Sequence, residues 1–100
     1  MIIYNVTVGI DSDVVEEWLR WMIDEHIPKV LDTKCFVNYK IYKVLNEEEG
    51  SLSFSVQYHA ENMETVLKYF DQYAPTLAKE HQEKFKNKHV AFRTLLEEVV

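Results

Sequence analysis

Ten consecutive residues, Ser51 to Ala60 (SLSFSVQYHA), alternate without a break. Leu52, Phe54, Val56, Tyr58 and Ala60 share one parity, and Ser51, Ser53, Ser55, Gln57 and His59 share the other. Side chains of a strand point to opposite faces in turn, so this segment predicts a strand with one dry face and one polar face. Such a strand needs a covering layer on its dry side and leaves its other side open. The remaining 90 residues must supply that layer and the neighbouring strands.

The start of the chain follows the same rule. In residues 2–10 (IIYNVTVGI), Tyr4, Val6, Val8 and Ile10 fall on one face and Asn5, Thr7 and Gly9 on the other, with the β-branched content that suits a strand. Asp11, Ser12 and Asp13 are helix-start residues, and Asp13 with Glu16 has the spacing of a capping box. From Val14 the period becomes helical. Val14, Val15, Trp18, Leu19, Met22 and His26 share one side, opposite Glu16, Glu17, Arg20 and Asp24. Pro28 lacks the amide that would bond the carbonyl of Asp24, which predicts a kink or stop near Ile27 and a resumption through Val30 and Leu31.

Residues 35–45 (CFVNYKIYKVL) read as a strand that pairs with 51–60 across the polar turn 46–50, where Gly50 suits a positive φ. Asn62 is a fitting N-cap. Met63, Val66, Leu67, Phe70, Ala74, Leu77, His81 and Phe85 then keep helical spacing, interrupted at Pro75, and Lys84, Lys86 and Lys88 suit the helix end. Residues 89–100 (HVAFRTLLEEVV) return to strand character. An Asp-x-x-x-Pro pattern occurs at Asp24–Pro28 and again at Asp71–Pro75, a hint of internal repetition. Two right-handed crossovers turn this β-α-β-β-α-β order into an α+β fold of ferredoxin-like type. It has a four-stranded antiparallel sheet with two helices on one face, a single domain over residues 1–100.

Charge and composition narrow the function classes. A net charge of -6 repels polyanions, which argues against nucleic acid and anionic membranes as partners. The short charged runs at Glu47–Glu49 and Lys84–Lys88 read as solvated turns. A lone cysteine, Cys35, can close no internal disulfide and reads as a buried structural thiol, so a cytoplasmic setting is expected. No apolar run reaches the roughly 20 residues a membrane helix needs. With 2 glycines the chain carries no phosphate-cradling loop, and its four histidines lack metal-motif spacing. Neither a cofactor nor a metal is expected.

The uncovered sheet face, read by alternation, collects Asn5, Thr7, Asn38, Lys40, Tyr42, Ser53, Ser55, Gln57, His59 and Arg93. A plainly solvated face accounts for this pattern. A merely solvated face would be expected to carry more Lys and Glu, however, and neutral Ser, Asn and Gln can order a small ligand at little desolvation cost. The second reading is therefore that two chains join these faces in a closed barrel whose cavity is lined by Asn5, Thr7, Asn38, Lys40, Tyr42, Ser55, Gln57, His59 and Arg93. The apolar tail, Leu95, Leu96, Val99 and Val100, would gain burial against a second copy. A homodimer is the expected state.

The segment Trp18-x-x-x-Met22-x-x-x-His26-Ile27-Pro28 and the polar second face resemble the dimeric α/β-barrel superfamily, which includes small cofactor-independent monooxygenases, isomerases and dechlorinases. The start MIIYNVTV, the segment EEWLRWM..EHIP.VL, the SVQY strand and the end VAFRTLLEEV resemble more closely a family of small bacterial proteins known only as a domain of unknown function. The resemblance implies the fold and brings no established catalytic residues. Three functions follow: a small-molecule-binding homodimeric barrel, a cofactor-independent monooxygenase- or isomerase-like enzyme, and a non-catalytic assembly domain. In the enzyme, His59 or His26 would be the base, and Arg93 or Lys40 would steady an enolate-like anion. His26 and His81 share helical apolar stripes, which makes packing their plain role. His89 is expected to be exposed.

Overall fold

The computed structural model describes residues 1–48 and 50–100, and the side chains of Asn46, Glu47 and Glu48 lie outside that description with Glu49. Strand β1 (Ile2–Asp11) leads through a single 3₁₀ turn at Ser12–Val14 into α1 (Val15–Trp21), a π-helical turn (Met22–His26) and α2 (Ile27–Asp32). Strands β2 (Asn38–Glu48) and β3 (Ser51–Ala60) follow, then α3 (Met63–Gln72), α4 (Ala74–Lys84) and β4 (His89–Glu97). The sheet is antiparallel in the order β2-β3-β1-β4. This is the ferredoxin-like arrangement with each helical arm in more than one piece.

The two prolines break their helices differently. At Pro28 the helix does not stop. The amide of Ile27 reaches back five residues to the carbonyl of Met22, and this wider π-turn carries the chain past the residue that cannot donate. At Pro75 there is a true break, because Tyr73 leaves helical geometry (φ -124°, ψ -37°) and Pro75 opens α4 in the first turn, where no amide is needed. The Asp-x-x-x-Pro resemblance between the arms thus conceals two different solutions.

Register fixes which side chains meet the helices. Tyr4 lies opposite Tyr58, Val6 opposite Val56 and Val8 opposite Phe54. These even positions form the core with Trp18, Met22, Ile27, Val30, Val66, Tyr69 and Leu77. Tyr69 is buried, whereas Leu67, which the continuous stripe had placed inward, is 56% exposed because the break at Tyr73 turns α3 relative to α4. The Asn62 cap forms, its Oδ1 accepting from the Thr65 amide at 3.0 Å. The Asp13 capping box does not, since the Asp13 carboxylate accepts from Lys88 Nζ at 2.9 Å. Strand β2 starts at Asn38 rather than Cys35, after Lys34 takes φ 65° and seats buried Cys35 and Phe36 under the sheet end. The turn read at 46–50 is shorter than expected, because β2 runs on to Glu48, which pairs with Ser51 after a register irregularity beyond Val44; Glu49 lies outside the description and Gly50 has φ 83°.

Ile10 is fully buried and Leu45 is 85% exposed. Ile10→Ala is expected to cost about 2–5 kcal/mol through lost transfer energy and an unfilled cavity, while Leu45→Ala stays within about 0.5 kcal/mol. Urea unfolding of the two variants checks the core assignment.

Candidate functional site

Three of the four histidines gather between the helices and the sheet. His81, on α4, accepts a hydrogen bond at Nε2 from Trp18 Nε1 on α1 at 2.9 Å, a buried bond between residues 63 apart in sequence. Indole can only donate. The ring nitrogen it meets must therefore carry a lone pair, which leaves the proton of neutral His81 on Nδ1. His89 stands edge-on to His81 with ring centroids 4.7 Å apart. Its Nδ1 lies 2.8 Å from the carbonyl oxygen of Phe85, so Nδ1–H donates there and Nε2 of the neutral ring is an acceptor. His26 ends the π-turn, stacks on Trp21 at 4.9 Å and sits 5.9 Å from His81, ring centre to ring centre. The Nδ1 of His26 is buried with no hydrogen-bond partner among the described residues.

Burial holds two of these rings, His81 and His26, neutral. His81 is pushed down to about 3, first by burial and then by the neighbouring His89 and His26. His26 is pushed down to about 4 by burial, with Lys29 adding to the effect and Glu80 opposing it. Neutral imidazoles with such low basicity are hydrogen-bond partners rather than strong proton acceptors.

A cavity of about 70 Å³ lies against this cluster, bounded by His26, His81, His89, Tyr4, Tyr69 and Arg93 among others. It exists because Ala74 and Ala78 of α4 face Ala91 of β4, and three methyl groups cannot fill the gap. The inner side of β4 is the part of the sheet the helices leave open, and its residues from Val90 onward are all exposed. Over it runs a wider groove of about 870 Å³, which shares Tyr4, Ala74, Ala78, Gln82 and Arg93 with the cavity. Arg93 stands at the junction. Its positive charge acts on the phenols of Tyr4 and Tyr69, opposing the upward push that burial gives both.

Arg93 is therefore on the helix side, not on the uncovered face where alternation had put it. Val6 pairs with Arg93 and Val8 with Ala91, which sends His89, Ala91, Arg93 and Leu95 inward and Val90, Phe92, Thr94 and Leu96 outward. The parity of HVAFRTLLE is ambiguous because both sets contain apolar residues. His89, expected to be exposed, is half-buried in the cluster. Its signal was available in hindsight: it is four residues after Phe85, whose carbonyl it bonds.

The other residues read as one face do share it. Asn5, Thr7, Ser55, Gln57 and His59 lie on the uncovered side with Asn38, Lys40 and Tyr42. There Gln57 Nε2 donates to Ser55 Oγ at 3.3 Å, Ser55 Oγ–H donates to Asn5 Oδ1, and Asn5 Nδ2 donates to Thr7 Oγ1 at 3.0 Å. His59 Nε2 is buried beside this chain with no partner among the described residues. The outward row of β4 adds Val90 at 72% and Phe92 at 63% exposure. Val90 closes over Gly9, where a Cβ would come within 3.1 Å of its Cγ2. Among the described residues no group of His, Cys, Asp or Glu is arranged to hold a metal ion, and no helix is long and apolar enough to cross a membrane.

The fold is that of a ferredoxin-like α+β protein. The chain belongs to the family Domain of unknown function (DUF4286), which matches residues 1–99. No curated protein matches the sequence. Among solved structures it is similar to HapK from Hahella chejuensis, with TM-score 0.72 and 11% identity over 99% of this chain and 93% of that one. It is also similar to an antibiotic biosynthesis monooxygenase, with TM-score 0.64 and 12% identity over 100% of both chains. A third similar structure is a dimeric ferredoxin-like protein from an uncultured marine organism, with TM-score 0.61 and 9% identity over 99% of this chain and 98% of that one. At these identities the likeness is one of fold.

Both buried imidazoles are less basic in the folded chain than in the unfolded one, where the usual value is about 6.5. Between the folded values of about 4 and 3 and that unfolded value, the unfolded chain binds more protons. Stability present above pH ~6.5 is therefore lost as pH falls, by up to about 1.4 kcal/mol per pH unit for each histidine. Urea unfolding from pH 7 to 5 should show this loss, and His26→Leu should flatten the slope while changing stability at pH 7 by no more than about 1 kcal/mol. His81→Leu should instead lose about 1–3 kcal/mol at pH 7, because it orphans the Trp18 N–H.

Proposed function

We propose that this chain is a homodimeric small-molecule-binding protein. Its ligand enters between α4 and β4, and its uncovered sheet face pairs with a second copy. The observation that carries the binding reading is the cavity itself: neutral histidines and one arginine converge on a space kept open by Ala74, Ala78 and Ala91. A few convergent polar groups in a largely apolar recess is the usual form of a ligand site. A ligand screen by thermal shift should find compounds that raise the melting temperature of the native chain. Ala78→Leu, which fills the junction, should fold and lose that response. Equal shifts in both proteins would sink the assignment of the site.

The dimer reading rests on the outward row Val90, Phe92 and Leu96 of β4, an apolar strip beside the neutral chain from Gln57 to Thr7. Exposed apolar strips of this kind mark association surfaces, and similar folds include a protein described as dimeric. In that dimer Asn38, Lys40, Tyr42 and His59 line the space between the two sheets. Light scattering at micromolar concentration should give a dimer, and Phe92→Asp should give a folded monomer. A native chain that is monomeric under those conditions would remove this part of the reading.

An enzyme is the second reading, favoured by Nε2 of His89. That atom is left as an acceptor by the Phe85 bond, and the ring stands on the same cavity as Arg93. A carbon acid held there would meet a base and a cation together, a pairing that suits proton abstraction. Exchange of the ligand's acidic C–H for deuterium in D₂O, faster with the native chain than with His89→Phe, would support catalysis. Identical rates would leave binding alone.

A further inference from the structure

We infer that the groove between α4 and β4 selects an organic acid, with its carboxylate on Arg93 and its apolar body against Tyr4, Phe70 and Leu95. The inference rests on the small-molecule reading above and names the chemistry of its ligand. Of the chain's 17 acidic residues, none is among the described residues that line the cavity or the groove, whereas Arg93 and Lys79 both do. In a chain of net charge -6 this is a local reversal of sign. Arg93 has no carboxylate partner among the described salt bridges, which instead engage Lys29, Lys79 and Lys88. A guanidinium presents paired donors that match a carboxylate in two parallel hydrogen bonds.

Size decides which way the ligand points. The inner cavity of about 70 Å³ has room for a few waters or one small substituent, while the groove of about 870 Å³ accepts a ring system. Because Arg93 lines both, an acid bound to it directs its body outward into the groove. There the Tyr4 and Phe70 rings meet edge to face at 5.1 Å, and Leu95 is 44% exposed. Neutral His81 and His26 add hydrogen-bonding groups to the inner cavity beside Arg93 without adding positive charge there.

Three probes of one shape test this: 2-naphthoate, 2-naphthamide and 2-naphthylmethylammonium, each titrated into the native chain and followed by amide chemical shifts. The expected result is shifts around Ala78 and Arg93, with naphthoate binding at least about tenfold more tightly than naphthamide and the ammonium weakest. Arg93→Gln, checked for an unchanged fold by its spectrum, should reduce naphthoate to the affinity of the amide, and Lys79→Gln should have a smaller effect. Equal binding of acid and amide at this site would overturn the selection of an acid and leave small-molecule binding standing. Tight naphthoate binding that Arg93→Gln does not weaken would overturn the role of Arg93. Absence of shifts at Ala78 and Arg93 with every probe, together with a failed ligand screen, would remove both this inference and the reading beneath it.

Discussion

The hydrogen bond from Trp18 to His81 joins the two helical arms through the interior. Trp18 is fully buried on α1 and His81 belongs to α4, and neither polar atom has access to water that could replace the partner. A buried indole N–H without an acceptor costs about 1–3 kcal/mol, so the pair is held at one separation and one tautomer. That constraint spreads outward. It sets where His81 faces His26 and His89, and burial of the cluster keeps His81 and His26 uncharged. It also holds α4 beside the sheet at the place where Ala74 and Ala78 leave the cavity open. Packing, protonation and the shape of the recess share this one contact.

The prolines decide how the arms deliver these groups. A π-turn inserts an extra residue into the helical ladder, and here it ends on His26, so accommodating Pro28 also settles where that ring points. The second arm is instead cut at Tyr73, which lets α3 bury Tyr69 and α4 present the alanines and His81. A single straight helix over residues 63–84 would keep Leu67 on the same stripe as Ala74 and His81. The break separates a packing segment from a segment that faces the groove.

Much of this fold was legible because alternation and helical spacing are strong in most of the chain. The SLSFSVQYHA strand, the cap at Asn62, the positive φ at Gly50 and the face shared by Asn5, Thr7, Ser55 and Gln57 all follow from local chemistry. Arg93 was misplaced because β4 is apolar at both parities, and only pairing with β1 chooses between them. The histidine cluster was illegible for another reason. His26, His81 and His89 come from three elements, and nothing in their spacing says that the Trp18 bond and the missing cover over β4 bring them to one cavity. Short-range pattern reports which face a residue takes; it does not report where a covering layer stops.

Where that layer stops separates the two sides of the sheet. On the uncovered side the polar chain from Gln57 to Thr7 satisfies its own hydrogen bonds. Lys40, Tyr42 and His59 stand outside that chain on the same face, while the apolar row on β4 remains to be covered. On the helix side the reverse holds: apolar groups are packed, and the available polar atoms are the ring nitrogens and Arg93. Unsatisfied apolar surface favours association with another large surface, whereas convergent polar atoms in a small recess favour a small ligand. The same strand, β4, supplies both through its two parities. A shift of β4 against β1 would therefore move the inward Ala91 and Arg93 and the outward Val90 and Phe92 together.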